Sequence, residues 1–248
     1  MTPTHLSRLA APLLALVVCA AAPRAAQEQE QQHGRLFPPQ DLGLLEAPDR
    51  DQWQRPDQIM DALGIAEASV VADVGAGSGW FTIRLARRVG PNGLVYAQDV
   101  QAEMLNAISR RVQREGLTNI RPVLGAGSNP GLPTGAIDAV LIVDTYHEIE
   151  DRVTFLRNLA RAITPQGRIG VVDFKVEGGG PGPAPDERVS PEVVVGDAER
   201  AGLRLLRQET FLPFQYFLVF GRSETSAQTA GRTALANATL TASARTKG

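Results

Sequence analysis

Glycine alternates with other residues in the stretch VADVGAGSGW, where Gly75, Gly77 and Gly79 follow a short apolar run at 69–74. Glycine has no Cβ and adopts left-handed backbone conformations, so a turn of this kind brings backbone amides close to a ligand. A helix that begins after the turn offers further free N–H groups. The stretch therefore predicts a cofactor site, and nucleotide-sugars, dinucleotides and sulfonium compounds are all bound by such turns.

A carboxylate follows at the distance that a ribose requires. Asp99 lies twenty residues beyond Gly79, at the end of the next predicted strand. A carboxylate there accepts hydrogen bonds from both ribose hydroxyls and repels a 2′-phosphate. We therefore expect a nucleoside derivative with free ribose hydroxyls. Asp73, at the end of the first strand, either holds the turn or receives an ammonium group through water.

A dinucleotide site is disfavoured because Trp80 stands where its fingerprint requires a further glycine. A bulky side chain there opposes close packing of the helix on the strand. The three tyrosines, Tyr96, Tyr146 and Tyr216, also lack the lysine four positions later that accompanies a dehydrogenase acid. A nucleotide-dependent oxidoreductase is therefore the weakest of the functions considered.

The residues DTYHE, directly after the apolar run 137–143, lie where the substrate is expected. The imidazole of His147 changes protonation near neutral pH, so it is either a general base or substrate orienter, or a hydrogen-bonded residue that fixes the loop. Asp144 is expected to shape the cofactor pocket more than to perform chemistry. Tyr146 either packs over the cofactor or caps the core.

Three further features have two interpretations each. Asp173, which ends the fifth predicted strand, either faces the substrate or lies in a solvated turn. Trp53 either roofs the site or anchors a short helix that Pro56 begins. The stretch 178–185 holds seven Gly or Pro in eight residues, which favours a connector over a lid.

Apolar periodicity predicts alternating strands and helices between about residues 56 and 222. Strands are predicted at 69–74, 94–98, 120–124, 137–143 and 168–173, and helices at 80–89, 102–115 and 153–163 and from about 190. The segments 204–211 and 215–221 alternate polar and apolar residues and predict an antiparallel pair. We expect an α/β fold: a doubly wound, Rossmann-like sheet of seven mostly parallel strands, one of them antiparallel, with helices on both faces. Its ligand should lie beyond the carboxyl ends of the strands.

Composition limits the function classes. The 248 residues suit one domain with flanking segments, and a formal charge of -2 without a basic stripe predicts no nucleic-acid partner. Lys175 and Lys247 are the only lysines, so the chain has no P-loop. The single cysteine, Cys19, leaves the folded region without a disulfide, a thiolate nucleophile or a cysteine metal site, and no metal is expected.

The ends of the chain are predicted to lie outside the fold. Residues 1–26 have the charged, apolar and small-residue parts of a secretory signal, and their fourteen-residue apolar run is short for a membrane span. We expect export, with a periplasmic location, or a cytoplasmic one if the leader does not function. Residues 27–55 are predicted to form a linker and N-terminal arm, 56–222 the catalytic domain, and 223–248 a disordered tail.

The motifs between residues 56 and 222 resemble, in order, those of class I S-adenosylmethionine-dependent methyltransferases. They are VADVGAGSGWF, YAQD ending at Asp99, DAVLIVD ending at Asp144, and ITPQG at 163–167. The resemblance implies that Asp73 and the turn Gly75-Ala76-Gly77-Ser78-Gly79 line the methionine end of S-adenosylmethionine, and that Asp99 binds its ribose. It also implies that Val100 and the loop 125–128, with Gly127 and Ser128, flank adenine. Many relatives have an acid in that loop; its absence here leaves adenine N6 to the backbone or Ser128.

The resemblance implies methyl transfer to a small-molecule or lipid-like acceptor, as in members of quinone and phospholipid synthesis. The protein's main task is then to hold a nucleophile in line with an activated methyl group, with a base where the acceptor carries a proton. The alternative is a catalytically silent, exported domain of the same fold that binds the cofactor or a partner. Export favours that alternative because the cofactor is made in the cytosol.

Overall fold

The computed structural model describes residues 36–223, which belong to one compact unit. The predicted export signal, the polar linker at 27–34 and the predicted tail beyond Ser223 lie outside the described residues. Within 36–223, no helix combines the length and apolar character needed to cross a membrane. The same part of the chain holds no group of three His, Cys, Asp or Glu side chains placed to bind a metal ion.

Seven strands form one sheet in the order β3-β2-β1-β4-β5-β7-β6. Strand β7 runs antiparallel to both neighbours, whereas β1 to β5 pair in parallel. This arrangement confirms the predicted doubly wound sheet with one antiparallel strand. The strands are β1 Val70–Val74, β2 Leu94–Asp99, β3 Ile120–Leu124, β4 Ile137–Val143, β5 Ile163–Phe174, β6 Leu203–Glu209 and β7 Gln215–Arg222.

Between residues 36 and 223, six α-helices accompany the sheet: α1 Arg50–Gln54, α2 Pro56–Ala62, α3 Trp80–Val89, α4 Ala102–Glu115, α5 Arg152–Ala162 and α6 Pro191–Arg200. Pro56 and Pro191 stand in the first turns of α2 and α6, as predicted, because the missing N–H has no partner there. Gly116 ends α4 in the left-handed conformation. Short 3₁₀ segments span Pro39–Glu46, Tyr146–Glu148 and Pro185–Glu187.

Strand β4 lies at the centre of the sheet and is buried on both faces. Val140 and Ile142 pack into the core on the side of α5 and α6, whereas Leu141 and Val143 pack on the side of α2 and α3. Successive strand residues point to opposite faces, so a strand covered on both sides is apolar throughout. The layers place the carboxyl ends of β1, β2 and β4 along one edge of the sheet.

The boundary between α5 and β5 differs from the predicted one. The sequence predicted a helix at 153–163 and a strand from residue 168; in the structure α5 ends at Ala162, and β5 begins at Ile163 and runs through Pro165 and Gly167. Ile163 pairs with Ile137 of β4, and Gly167 packs so closely that a Cβ would lie 2.9 Å from the Ile137 carbonyl oxygen. Pairing with a distant strand overrides the local turn signal here, so the predicted helix agrees to within one residue and the predicted start of the strand was wrong.

Candidate functional site

A pocket opens at the carboxyl ends of β1, β2 and β4, where the strand order reverses between β1 and β4. This is the switch point at which open α/β sheets bind ligands. Eight of the residues predicted from the sequence line it: Asp73, Gly75, Ala76, Gly77, Ser78, Asp99, Val100 and Asp144. Gly79, Gly127, Ser128, Tyr146 and His147 lie outside the lining.

The glycine turn brings β1 against the loop that follows β4. Gly75 has φ +69°, and its N–H donates to the Gln98 carbonyl at 2.9 Å. A Cβ on Gly75 would overlap the side chain of Thr145. Gly79 has another role, because its missing Cβ lets α3 approach Ile108 of α4. The turn is therefore fixed by packing between protein segments as well as by any ligand.

Gly75→Ala is expected to destabilise the protein by more than the same change at Gly64. Both glycines have φ +69°, but a Cβ on Gly64 meets open space. The loss of stability in Gly64→Ala therefore reflects only the cost of a left-handed backbone for a residue with a Cβ, roughly 1–2 kcal/mol. Gly75→Ala adds the overlap with Thr145, roughly 1–3 kcal/mol more. Urea unfolding of the two variants checks the difference, and equal losses would contradict the packing explanation.

The Asp99 carboxylate is held at the pocket by two backbone amides. Its Oδ2 accepts from the Gly77 N–H at 3.0 Å, and its Oδ1 accepts from the Gln101 N–H at 2.9 Å. The side chain is buried, and this burial raises its pKa above the ordinary value although the amide bonds lower it. Each carboxylate oxygen can accept more than one hydrogen bond. Asp99 thus joins the glycine turn to a fixed acceptor for ligand hydroxyls.

The side chain of Asp73 is held by a hydrogen bond from helix α3. The Thr82 hydroxyl donates to Asp73 Oδ2 at 2.6 Å, and both side chains are buried. Burial raises the pKa of Asp73 to about 6, and the bond from Thr82 opposes that rise. An acid in this state becomes fully charged only near neutral pH or beside a cation. Asp73 can therefore meet an incoming positive group at the pocket floor.

Asp144 has a left-handed backbone, with φ +53°, which is uncommon outside glycine. Its carboxylate accepts from Gln54 Nε2 at 3.3 Å and from Gln215 Nε2, and Arg50 Nη2 lies 3.7 Å away. Burial raises its pKa to about 6, which exceeds the lowering by Arg50. These partners come from α1 and β7, so Asp144 joins distant segments at the pocket, and its predicted role in shaping a cofactor site stays a prediction.

The segment from Leu36 to Glu46 covers the mouth of the pocket. Phe37 and Leu45 contribute to the lining, and the Phe37 carbonyl accepts from Gln101 Nε2 at 3.0 Å. Glu46 forms an ion pair with Arg111 of α4 at 2.5 Å. This part of the predicted linker and arm is therefore packed on the domain and contributes to the pocket lining.

His147 and Asp173 form a hydrogen-bonded pair beside the pocket. His147 Nδ1 lies 3.1 Å from both carboxylate oxygens of Asp173, which is fully buried and also accepts from the Phe174 N–H at 2.8 Å. Burial lowers the pKa of His147, but its bond to Asp173 and the charge of that residue raise it more, so the net direction is upward. The contact fixes the proton on Nδ1 and leaves Nε2 as the acceptor of the neutral ring.

Two aromatic residues singled out from the sequence lie away from the pocket. Tyr146 is fully buried, and its hydroxyl donates to Asp197 Oδ2 at 2.8 Å, which fits the core-capping alternative. The Trp53 ring lies 6.2 Å from the rings of both Phe174 and Phe214. Trp53 thus anchors α1 to the domain and takes no part in the pocket lining.

The loop 125–128 is placed next to β2 but outside the lining. The Gly125 N–H donates to the Asp99 carbonyl at 2.9 Å, and the Ser128 carbonyl accepts from Asn158 Nδ2 at 2.8 Å. Gly127 is exposed, with φ +52°. An adenine contact by Gly127 or Ser128 stays a prediction.

Several lining residues escaped the sequence interpretation, among them Arg50 and Glu148. Burial raises the pKa of Glu148 to about 7. Its place just after β4, in DTYHE, was a usable signal. Ser78 Oγ is buried without a hydrogen-bond partner in the described part of the chain, which suits a ligand contact. Arg50 has no such signal, because only folding brings it from α1 to the pocket.

The family model and the structural comparison both identify methyltransferases. A family model described as "Methyltransferase domain" matches residues 71–167. The chain is 30% identical to a crystal structure of a SAM-dependent methyltransferase from Aquifex aeolicus, with a TM-score of 0.71, covering 74% of this chain and 98% of the other.

Curated relatives match over a shorter stretch. The chain is 28% identical over 118 residues to a demethylmenaquinone methyltransferase of Geobacillus sp. (strain WCH70), covering 48% of this chain and 50% of the relative. It is 33% identical over 131 residues to a nocamycin O-methyltransferase of Saccharothrix syringae, covering 53% and 44%. The chain thus spans about half the length of the curated relatives it matches.

Proposed function

Because this chain belongs to the class I S-adenosylmethionine-dependent methyltransferases, we propose that it transfers a methyl group from S-adenosylmethionine to a small-molecule or lipid-like acceptor. The observation that carries the proposal is the Asp99 carboxylate, held 3.0 Å from the Gly77 amide inside the switch-point pocket. The names of the menaquinone and nocamycin relatives support a small or lipid-like acceptor.

The residues present fit the cofactor by charge and by space. Asp99 would accept the ribose hydroxyls, and Asp73 would receive the methionine ammonium. Gly75 and Gly77 line the pocket with positive φ, so the turn presents its backbone to the cofactor. The Ser78 hydroxyl, which has no hydrogen-bond partner among the described residues, offers one more polar contact. When bound, the cofactor supplies an already activated methyl group.

The remaining work falls to the chain's own groups near β4 and β5. We propose that His147 Nε2 takes the proton from an acceptor that carries one. Asp173 keeps the ring in the correct tautomer through Nδ1 and stabilises the imidazolium that forms. Thr145 and Glu148, on either side in the sequence, line the pocket, so the pair lies next to the cofactor site.

Binding and turnover separate the proposed function from its alternatives. Calorimetry should detect S-adenosylmethionine and its product S-adenosylhomocysteine, with no heat from NAD. Transfer of a labelled methyl group to an acceptor in a cell extract should then follow. NAD binding without S-adenosylmethionine binding would overturn the proposal, and cofactor binding without any transfer would favour the silent binding domain.

The affinity for S-adenosylhomocysteine is expected to fall as the pH drops through about 6. Asp73 has its pKa raised to about 6, and only its charged form attracts the ammonium group. Below that pH the affinity should fall by up to about tenfold per pH unit. Calorimetry between pH 5 and 8 checks this. A flat profile would exclude Asp73 as the ammonium partner.

Thr82→Val is the matched control for that pH dependence. The Thr82 hydroxyl donates to Asp73 and lowers its pKa, so its removal raises that pKa further. The fall in affinity should then begin at a higher pH than in the natural protein. Asp144 and Glu148 also titrate in the pocket, but the Thr82 hydroxyl donates to Asp73, so a shifted profile identifies Asp73.

We also propose that residues 1–26 direct export, on the strength of their charged, apolar and small-residue pattern. The acceptor would then be met outside the cytosol, and the cofactor would have to be supplied there. Amino-terminal sequencing of the protein from the periplasm of a bacterial host tests the leader, and an intact amino terminus in the cytosol would contradict it.

A further inference from the structure

One guanidinium, that of Arg50, faces the acids of the cofactor pocket. Arg50 is 8% exposed, its Nη2 lies 3.7 Å from Asp144 Oδ2, and its Cζ lies 4.3 Å from the centre of the Trp80 ring. Among the described lining residues it is the one basic side chain, against four acidic ones: Asp73, Asp99, Asp144 and Glu148. A buried cation at this place needs an explanation.

The contacts of Arg50 leave donor capacity toward the pocket. Its Nε donates to Gln54 Oε1 at 2.5 Å, and its Nη1 donates to the Leu45 carbonyl at 2.5 Å. A guanidinium carries five N–H donors in a planar fork, so hydrogen bonds to described residues occupy two of them. Burial lowers the pKa of Arg50, yet the group stays charged because arginine begins far above neutral pH. The fork suits a second carboxylate.

The proposed cofactor brings such a carboxylate. Its methionine end is a zwitterion, with an ammonium group that Asp73 can receive and a carboxylate that the four acids would repel. A like charge in a buried site is strongly unfavourable unless a cation lies beside it. The lining supplies that cation once, at Arg50, next to Asp73 and the glycine turn.

We propose that Arg50 binds the α-carboxylate of the cofactor's methionine end, an inference that rests on the proposed function. Asp73 and Arg50 then recognise the two charges of the zwitterion, and Asp99 recognises the ribose. Because Arg50 also donates to Leu45, it links the cofactor to the segment 36–46 that covers the pocket. The N-terminal arm is therefore part of the binding site.

The test compares two ligands in the full chain by calorimetry. S-adenosylhomocysteine carries the amino-acid end, whereas 5′-methylthioadenosine lacks it. Arg50→Gln should lower the affinity for S-adenosylhomocysteine by about 10- to 100-fold, because a charged hydrogen-bond partner is lost. The affinity for methylthioadenosine should change by less than about threefold. Arg84→Gln is the matched control, since Arg84 lies over the same Trp80 ring at 3.6 Å but outside the lining. It should leave both affinities unchanged.

Other outcomes overturn the inference. If Arg50→Gln lowers the affinity for both ligands equally, Arg50 serves only to hold the N-terminal arm in place. If it lowers neither affinity, Arg50 does not contact the cofactor. If Arg50→Gln does not fold, a second experiment uses the Arg50→Lys variant with decarboxylated S-adenosylmethionine as the ligand. The natural protein should bind the decarboxylated compound about 10- to 100-fold more weakly than S-adenosylmethionine, and Arg50→Lys should narrow that ratio; an unchanged ratio would contradict the proposal. If the natural protein binds none of these ligands, the proposed function fails instead.

Discussion

Asp99→Ala is expected to weaken S-adenosylhomocysteine binding by about 10²- to 10⁴-fold. The carboxylate would accept two ribose hydroxyls, and each charge-assisted hydrogen bond contributes roughly 1.5–3 kcal/mol. The change also removes the acceptor of the Gly77 N–H, so the glycine turn loses its tie to the end of β2. Both effects lower affinity, and calorimetry measures their sum.

Thermal unfolding and a surface control keep this result interpretable. Glu103→Gln removes an exposed carboxylate from the first turn of α4, close in sequence to Asp99, and should leave the affinity unchanged. Asp99→Ala should still fold, because the parallel pairing of β2 with β1 and β3 does not involve its side chain. A folded Asp99→Ala protein that binds within threefold of the natural protein would refute the ribose assignment.

His147→Ala is expected to lower the methyl-transfer rate by about 10²- to 10⁴-fold on an acceptor that must lose a proton, the usual contribution of a positioned base. Cofactor affinity should change little, because His147 lies outside the pocket lining. Imidazole added to the assay should restore part of the rate. If His147 only fixes the loop, the variant loses thermal stability and keeps its rate per folded molecule, and the base assignment is then wrong.

Asp173→Asn separates the positioning role of Asp173 from a purely structural one. In the natural protein the rate should rise with pH about a midpoint above 6.5, because the raised pKa of His147 must be passed before its ring is neutral. Without the hydrogen bond and charge of Asp173, only the charges of Glu148 and Asp144 still oppose the lowering of the His147 pKa by burial, so the midpoint should move down. The plateau rate should also fall, since Asn does not fix the tautomer in the same way. An unmoved midpoint would contradict the pairing.

Local sequence was sufficient for the parts of the site that depend on neighbouring residues. The turn 75–79, the strand before it and helix α3 after it lie in one continuous stretch, so glycine spacing and apolar periodicity determine them together. Asp99 follows from the same logic, because β2 must end at the edge where β1 ends. The continuously apolar run of β4 likewise predicted a central strand.

Contacts between distant segments could not be predicted in this way. Gln54 and Gln215 reach Asp144 across 90 and 71 residues of sequence, and Asp173 meets His147 across 26. The start of β5 at Ile163 likewise depends on its pairing with Ile137. No spacing rule connects such positions, because they meet only after the sheet has ordered its strands.

The sequence by itself determined the fold class, the glycine turn and the place of Asp99 at the end of β2, since each of these follows from backbone preferences within one β-turn-α unit or from the strand that follows it. Tertiary structure alone decided that Arg50 faces the pocket, that Tyr146 lies in the core, and that burial raises the pKa values of Asp73 and Asp144. The physical reason is that the sequence specifies which side chains can carry a charge, whereas the energy of that charge depends on how far the surrounding residues remove it from water.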